Sequence, residues 1–222
     1  MHVLMTNPTL YSLRHCPYAM RARLAILLAK QTVNLRAIVL KNKPAEMLVA
    51  SPKGSVPVLV LTNGLVIDES LEIMQWVLNE NDPDNLLYQH SEELASDMFS
   101  LINRNDTEFK DNLEKYKSAK RYHDNTEQQH REACEAFIHD LEKRLTKHPF
   151  FIADTPSLAD YALLPFLRQF ARVNRAWYIQ APYPLLRNWL DAHLQSRLFA
   201  KAMTLYPLWL DNHEDFLFGE SD

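Results

Sequence analysis

The first eighty residues alternate between short apolar runs and one longer amphipathic run. Thr9 to Leu13 and Asn34 to Leu40 read as strands, and Tyr18 to Lys30 between them as a helix with Tyr18, Ala22, Ala25, Ile26 and Ala29 on one face. A strand, helix and strand in that order predict a parallel pair joined by a right-handed crossover. The polar turn Lys41 to Pro44 precedes a short helical piece, Ala45 to Ala50, and a breaker-rich loop, Ser51-Pro52-Lys53-Gly54-Ser55. Val56 to Leu61 is a third strand with proline at its start. Thr62-Asn63-Gly64 marks a hairpin into Leu65-Val66-Ile67. Asp68-Glu69-Ser70 then opens a helix from Leu71 to Asn79.

From Glu80 to His90 the chain is polar and broken by Pro83, which places a domain boundary there. The pattern beyond it is helical. Leu94, Met98, Leu101 and Ile102 form one stripe, and Cys134, Phe137, Ile138, Leu141 and Leu145 another. Cys134 lies on an apolar face and reads as core. Lys115 to Glu127 is so polar that it reads as a helix end plus loop. Ser157 and Asp160 have the spacing of a capping box at the start of a largely apolar helix, which makes Asp160 structural. A last helical region runs from Leu185 to Met203, and the end, Tyr206 to Asp222, is aromatic and then acidic. The expected domains are 1–80, a mixed sheet with helices in the order β-α-β-α-β-β-α, and 91–222, all helical.

Composition narrows the chemistry. The net charge of -4 offers no electrostatic footprint for nucleic acid or an anionic membrane. Met1 to Pro8 carries no basic-then-apolar leader, and no apolar run approaches the roughly 20 residues of a membrane span. Two cysteines far apart in such a chain point to a reducing, cytoplasmic setting. Three glycines leave no Gly-rich phosphate loop and no nucleophile elbow, and the scattered histidines predict no metal site.

What remains is Cys16. The stretch Arg14-His15-Cys16-Pro17-Tyr18-Ala19 joins the first strand to the first helix, with Pro17 suited to the helix's first turn. The free N–H groups and positive dipole end of that helix face the sulfur and favour thiolate. Arg14, His15, Arg21 and Arg23 add positive charge nearby. Ala19 stands where a C-x-x-C pair has its second cysteine, so an external thiol must resolve any disulfide formed on Cys16.

These blocks together resemble the soluble glutathione transferases: Cys16-Pro17-Tyr18-Ala19, Leu40 to Pro44, Ser51 to Leu59, Asp68-Glu69-Ser70 and Ser157 to Asp160. The likeness is strongest to the cysteine-type classes, omega-like and dehydroascorbate reductase-like. It implies an α/β thioredoxin-like N-terminal domain that binds glutathione, followed by an all-α C-terminal domain carrying the second-substrate site. It also implies a cis bond before Pro57, with the Val56 backbone pairing with the cysteinyl part of glutathione. Glu69 and Ser70 are implied at the γ-glutamyl end and Lys43, with Lys41 a weaker candidate, at the glycyl carboxylate. Glutathione is then a co-substrate, a small disulfide or electrophile the second substrate, and the protein a homodimer without metal. By the same analogy, Arg104, Asn105, Glu108, Trp177 and Tyr178 lie towards the second substrate. Two other readings are a conjugating enzyme that uses Tyr11 or Ser12, and a non-enzymatic binding module on the same fold.

Overall fold

A computed structural model describes residues 7–219 of the chain. The expectation on the leader, Met1 to Pro8, lies mostly outside these residues, as do the last acidic positions. In chain order the elements are β1 (Thr9–Ser12), α1 (Pro17–Leu28), β2 (Val33–Ala37), α2 (Ala45–Ala50), β3 (Val58–Val60), β4 (Val66–Ile67) and α3 (Ser70–Glu80). Then come α4 (Glu92–Arg104), a π-helical turn (Asn105–Phe109), α5 (Lys110–Tyr122), α6 (Glu127–Leu145), α7 (Leu158–Val173), α8 (Arg175–Gln180), α9 (Pro184–Leu194), α10 (Arg197–Ala202), α11 (Trp209–Asn212) and β5 (Phe216–Phe218). The thioredoxin-like α/β order and the helical region after it are both present.

The chain forms two compact units, with a boundary at Asp84 and Asn85. The first unit also takes in the chain from Arg197 onward, which corrects the expectation of one helical domain over 91–222. The reason is a fifth strand. The sheet order is β4-β3-β1-β2-β5, and β5 runs antiparallel to β2 with Val33 opposite Phe218. β1 and β2 are parallel, with Thr9 opposite Asn34, as the crossover requires. β3 lies antiparallel on the other side of β1, with Leu10 opposite Leu59.

α1 is buried almost all round, including Arg21 and Arg23, because α3 and α10 both pack on it. The Arg23 guanidinium donates to the Ser12 hydroxyl at 2.8 Å and to the carbonyls of Ala202 and Thr204, both at 3.1 Å. Burial pushes its pKa down to about 10. Arg36 makes a second tie. Its guanidinium stacks 3.7 Å over the Trp209 ring, donates to Asp215 at 2.6 Å and donates to the Tyr11 hydroxyl at 2.9 Å. Trp209 in turn donates its indole N–H to Glu46 on α2. The returning segment is thus pinned to α1, β2 and α2 of its own unit.

In the helical unit, α7 begins with the expected capping box. Asp160 is fully buried and accepts from the Ser157 N–H and hydroxyl at 2.9 Å, and from the Phe151 N–H and Trp189 indole at 3.2 Å. Cys134 is buried in the core, as its stripe predicted. The polar stretch from Lys115 is the end of α5 and, over residues 123–126, the loop before α6, as expected. α5 buries only Leu113, Tyr116 and Ala119 and leaves its remaining face polar. Among the described residues no helix is long and apolar enough to cross a membrane.

Candidate active site

Cys16 is the N-cap residue of α1, with extended backbone angles and Pro17 at the first helical position. Its thiol donates to the Val56 carbonyl at 3.7 Å. The bond between Val56 and Pro57 is cis, and β3 starts only at Val58, so Val56 stands outside the sheet ladder. Cys16 is partly exposed and rests on a small apolar cluster of Tyr11, Ala19, Ile38, Met47, Val56 and Val58.

That cluster reverses one expectation. Burial pushes the Cys16 thiol above its ordinary value of 9.0, and the N–H groups of Ala19 and Tyr18 pull it down by less. The helix end acts on the sulfur as the spacing predicted, but desolvation of the anion is the larger effect. The nearby basic residues do not alter that balance. Arg14 is bonded to His15 at 3.0 Å, Arg23 is spent on Ser12 and two carbonyls, and Arg21 is buried.

The other expected residues sit on two adjoining segments. Ser51 donates its hydroxyl to Asp68 at 2.6 Å, which ties the loop before Val56 to the turn before α3. Glu69 is the N-cap residue of α3 and Ser70 its buried first residue. Glu69 does not stand alone, because its carboxylate is paired with Lys53, whose ammonium also reaches the Asp68 carbonyl at 3.5 Å. The Glu69 hydrogen bond raises the Lys53 pKa above its ordinary 10.5. Lys43 lies against the same loop. A β-carbon on Gly54, where φ is +63°, would come within 3.2 Å of the Lys43 ammonium. Cys16, Val56 and Pro57 are therefore assembled at one point. Lys43, Glu69 and Ser70 lie along the loop and turn beside it. Sequence reasoning missed Lys53, which sits 16 positions before its partner; the only signal was a lysine held between Pro52 and Gly54.

The two hydroxyl candidates are committed elsewhere. Ser12 is fully buried and accepts from Arg23, while Tyr11 is buried and accepts from Arg36. Burial also raises the Tyr11 pKa above 10.0. Of the residues expected near a second substrate, Arg104 pairs with Asp140 at 2.6 Å, and Asn105 and Tyr178 are buried. Trp177 lies under Arg131 at 4.5 Å, and Glu108 is exposed. Among the described residues no group of His, Cys, Asp and Glu could hold a metal ion.

Comparison with known proteins gives this geometry a setting. Residues 10–85 match the model of the glutathione S-transferase N-terminal domain, and residues 102–192 that of the C-terminal domain. Glutathione S-transferase omega-1 of Mus musculus is 28% identical over 196 residues, which span 83% of this chain and 75% of that one. The solved structure of glutathione S-transferase-I bound with lactoylglutathione matches with a TM-score of 0.76 at 21% identity, over 89% of this chain and 99% of that one. A glutathione transferase family member from Pseudomonas fluorescens pf-5, solved with two glutathione bound, matches at 0.77 and 14% identity, over 89% and 92%. The two structures share the fold of this chain.

Proposed function

We propose, from the premise that the chain belongs to the glutathione S-transferase superfamily by both its domains, that it is a glutathione-dependent thiol transferase working through Cys16. The observation that carries the reading is the sulfur at the N-cap of α1, facing the Val56 carbonyl beside the cis proline. Similarity to an omega-type relative supports it, as does the glutathione bound by the Pseudomonas fluorescens protein of the same fold.

Cys16 loses its proton and attacks a glutathionyl disulfide. An S–S bond forms between Cys16 and glutathione, and the other thiolate leaves. A second glutathione thiolate attacks that mixed disulfide, which yields oxidised glutathione and frees Cys16. The N–H groups of Tyr18 and Ala19 stabilise the Cys16 anion as it leaves. Val56 supplies backbone groups for the cysteinyl part of glutathione, Glu69 and Ser70 hold its γ-glutamyl end, and Lys43 its glycyl carboxylate. The same resemblance supports a homodimer in the cytoplasm, with a small disulfide or electrophile as second substrate.

The test is glutathione-dependent reduction of a small mixed disulfide by wild type and Cys16→Ser, with a conjugation assay alongside. Reduction that vanishes in the variant supports the mechanism. Conjugation that persists or rises in Cys16→Ser would hand the chemistry to Tyr11 or Ser12, against their burial and their arginine partners. Glutathione binding without either activity would leave a binding module.

A further inference from the structure

Lys53 and Glu69 form an ion pair that is open to solvent, with side-chain exposures of 45% and 60%. Such a pair contributes little stability by itself, because water screens both charges. The two segments that carry it are nevertheless tied together. Ser51, nearly fully buried, bonds Asp68 and so locks the loop carrying Lys53 to the turn carrying Glu69. The positive φ of Gly54 turns the chain directly after Lys53, and Lys43 closes over that turn. Behind the pair, the first N–H groups of α3 have no side-chain cap from Glu69. The arrangement is one cation, one anion and one partial positive pole, held on two segments bonded to each other.

We propose that Lys53 is a specificity residue that binds the α-carboxylate of the γ-glutamyl end, while Glu69 binds the neighbouring α-ammonium. This deepens the glutathione reading and rests on it. A free α-amino acid group carries both charges on adjacent atoms. It can lie across the Lys53–Glu69 pair with each charge meeting its opposite, and the α3 N-terminus and Ser70 reinforce the carboxylate side. A ligand with only one of the two charges leaves one member of the pair without a ligand contact. The site therefore selects an intact, zwitterionic γ-glutamyl group over acylated or truncated thiols.

The opposite role for Lys53 is competitor. If it merely neutralises Glu69 and must be displaced by the ligand's ammonium, its removal strengthens binding. The two roles differ in sign, so one substitution separates them. Titration calorimetry would compare wild type, Lys53→Gln and Lys53→Arg with three ligands. These are S-methylglutathione, its analogue lacking the α-ammonium, and its analogue lacking the α-carboxylate. Lys53→Gln is expected to weaken the first two by about five- to tenfold, the range of a partly exposed charge-assisted contact, and to leave the third within about twofold. Lys53→Arg is expected to restore most of the loss. A purely structural role would weaken all three alike. Unchanged or tighter binding of S-methylglutathione by Lys53→Gln overturns the role of Lys53 alone. Failure of wild type to bind S-methylglutathione removes the glutathione reading, and the role of Lys53 with it.

Discussion

The protonation of Cys16 offers the sharpest physical test of the site. Thiolate is the reacting species, and its fraction at a given pH falls tenfold for each unit by which the pKa rises. A thiol of ordinary pKa 9.0 is about 1% ionised at pH 7, and burial on the Tyr11–Val58 cluster pushes Cys16 higher still. The Val56 carbonyl, a hydrogen-bond acceptor, favours the protonated form in the same direction. Alkylation of the ligand-free protein by iodoacetamide should therefore be slow at pH 7, climb close to tenfold per unit, and still be rising at pH 9. The second cysteine leaves the readout clean. Cys134 is fully buried and its pKa is pushed up to about 12, so it stays silent over this range. Cys16→Ser should abolish labelling. The turnover of a mixed disulfide should rise with pH over the same interval, since the first step draws on the same thiolate. A labelling profile that plateaus below pH 8 would overturn this balance. It would mean that the N–H groups of Tyr18 and Ala19 and the helix dipole outweigh desolvation.

Asp160→Ala removes a buried carboxylate that satisfies three backbone or side-chain N–H donors and one hydroxyl, and should cost about 3 kcal/mol or more in urea unfolding. Arg23→Met keeps the aliphatic stem but strands the Ser12 hydroxyl and the Ala202 and Thr204 carbonyls; a loss of about 2–3 kcal/mol is expected in the same assay, and a loss below about 0.5 kcal/mol would show that the returning segment does not depend on it. Gly219→Ala would put a β-carbon 1.8 Å from the Gln31 carbonyl oxygen at a φ of +99°, so it should displace the end of β5 and lower the thermal midpoint. Arg144 holds the Asp97 carboxyl below its ordinary 3.8 by a bidentate hydrogen bond. The stability this pair gives is present above that value and lost as pH falls through the lowered pKa, so Asp97→Asn should flatten the acid limb of a pH–stability curve below pH 4.

What the sequence made legible were features decided within a few residues of chain. Pro17 after Cys16, Asn63-Gly64 between apolar runs, and Ser157 three positions before Asp160 each fix a local backbone state, and each is where the residue types said. What stayed hidden was decided by partners far along the chain. Phe216-Leu217-Phe218 is too short and too close to acidic residues to announce a strand, and becomes one because β2 offers an unpaired edge. Arg36 and Trp209 meet across more than 170 positions. The candidate site divides along the same line. At its sulfur end Cys16 is legible because a helix start is a local device, whereas the cis bond before Pro57 is expected only through the family resemblance. The proton on that sulfur is not legible, because desolvation depends on Ile38 and Met47, which no spacing ties to Cys16. The charged end is only half legible: Glu69 and Ser70 stand at a helix start, but Lys53 meets Glu69 only in the fold, where the Ser51–Asp68 bond joins their two segments. In this chain the local motif thus places the sulfur, and packing and pairing across the fold set its protonation and the charges that stand near it.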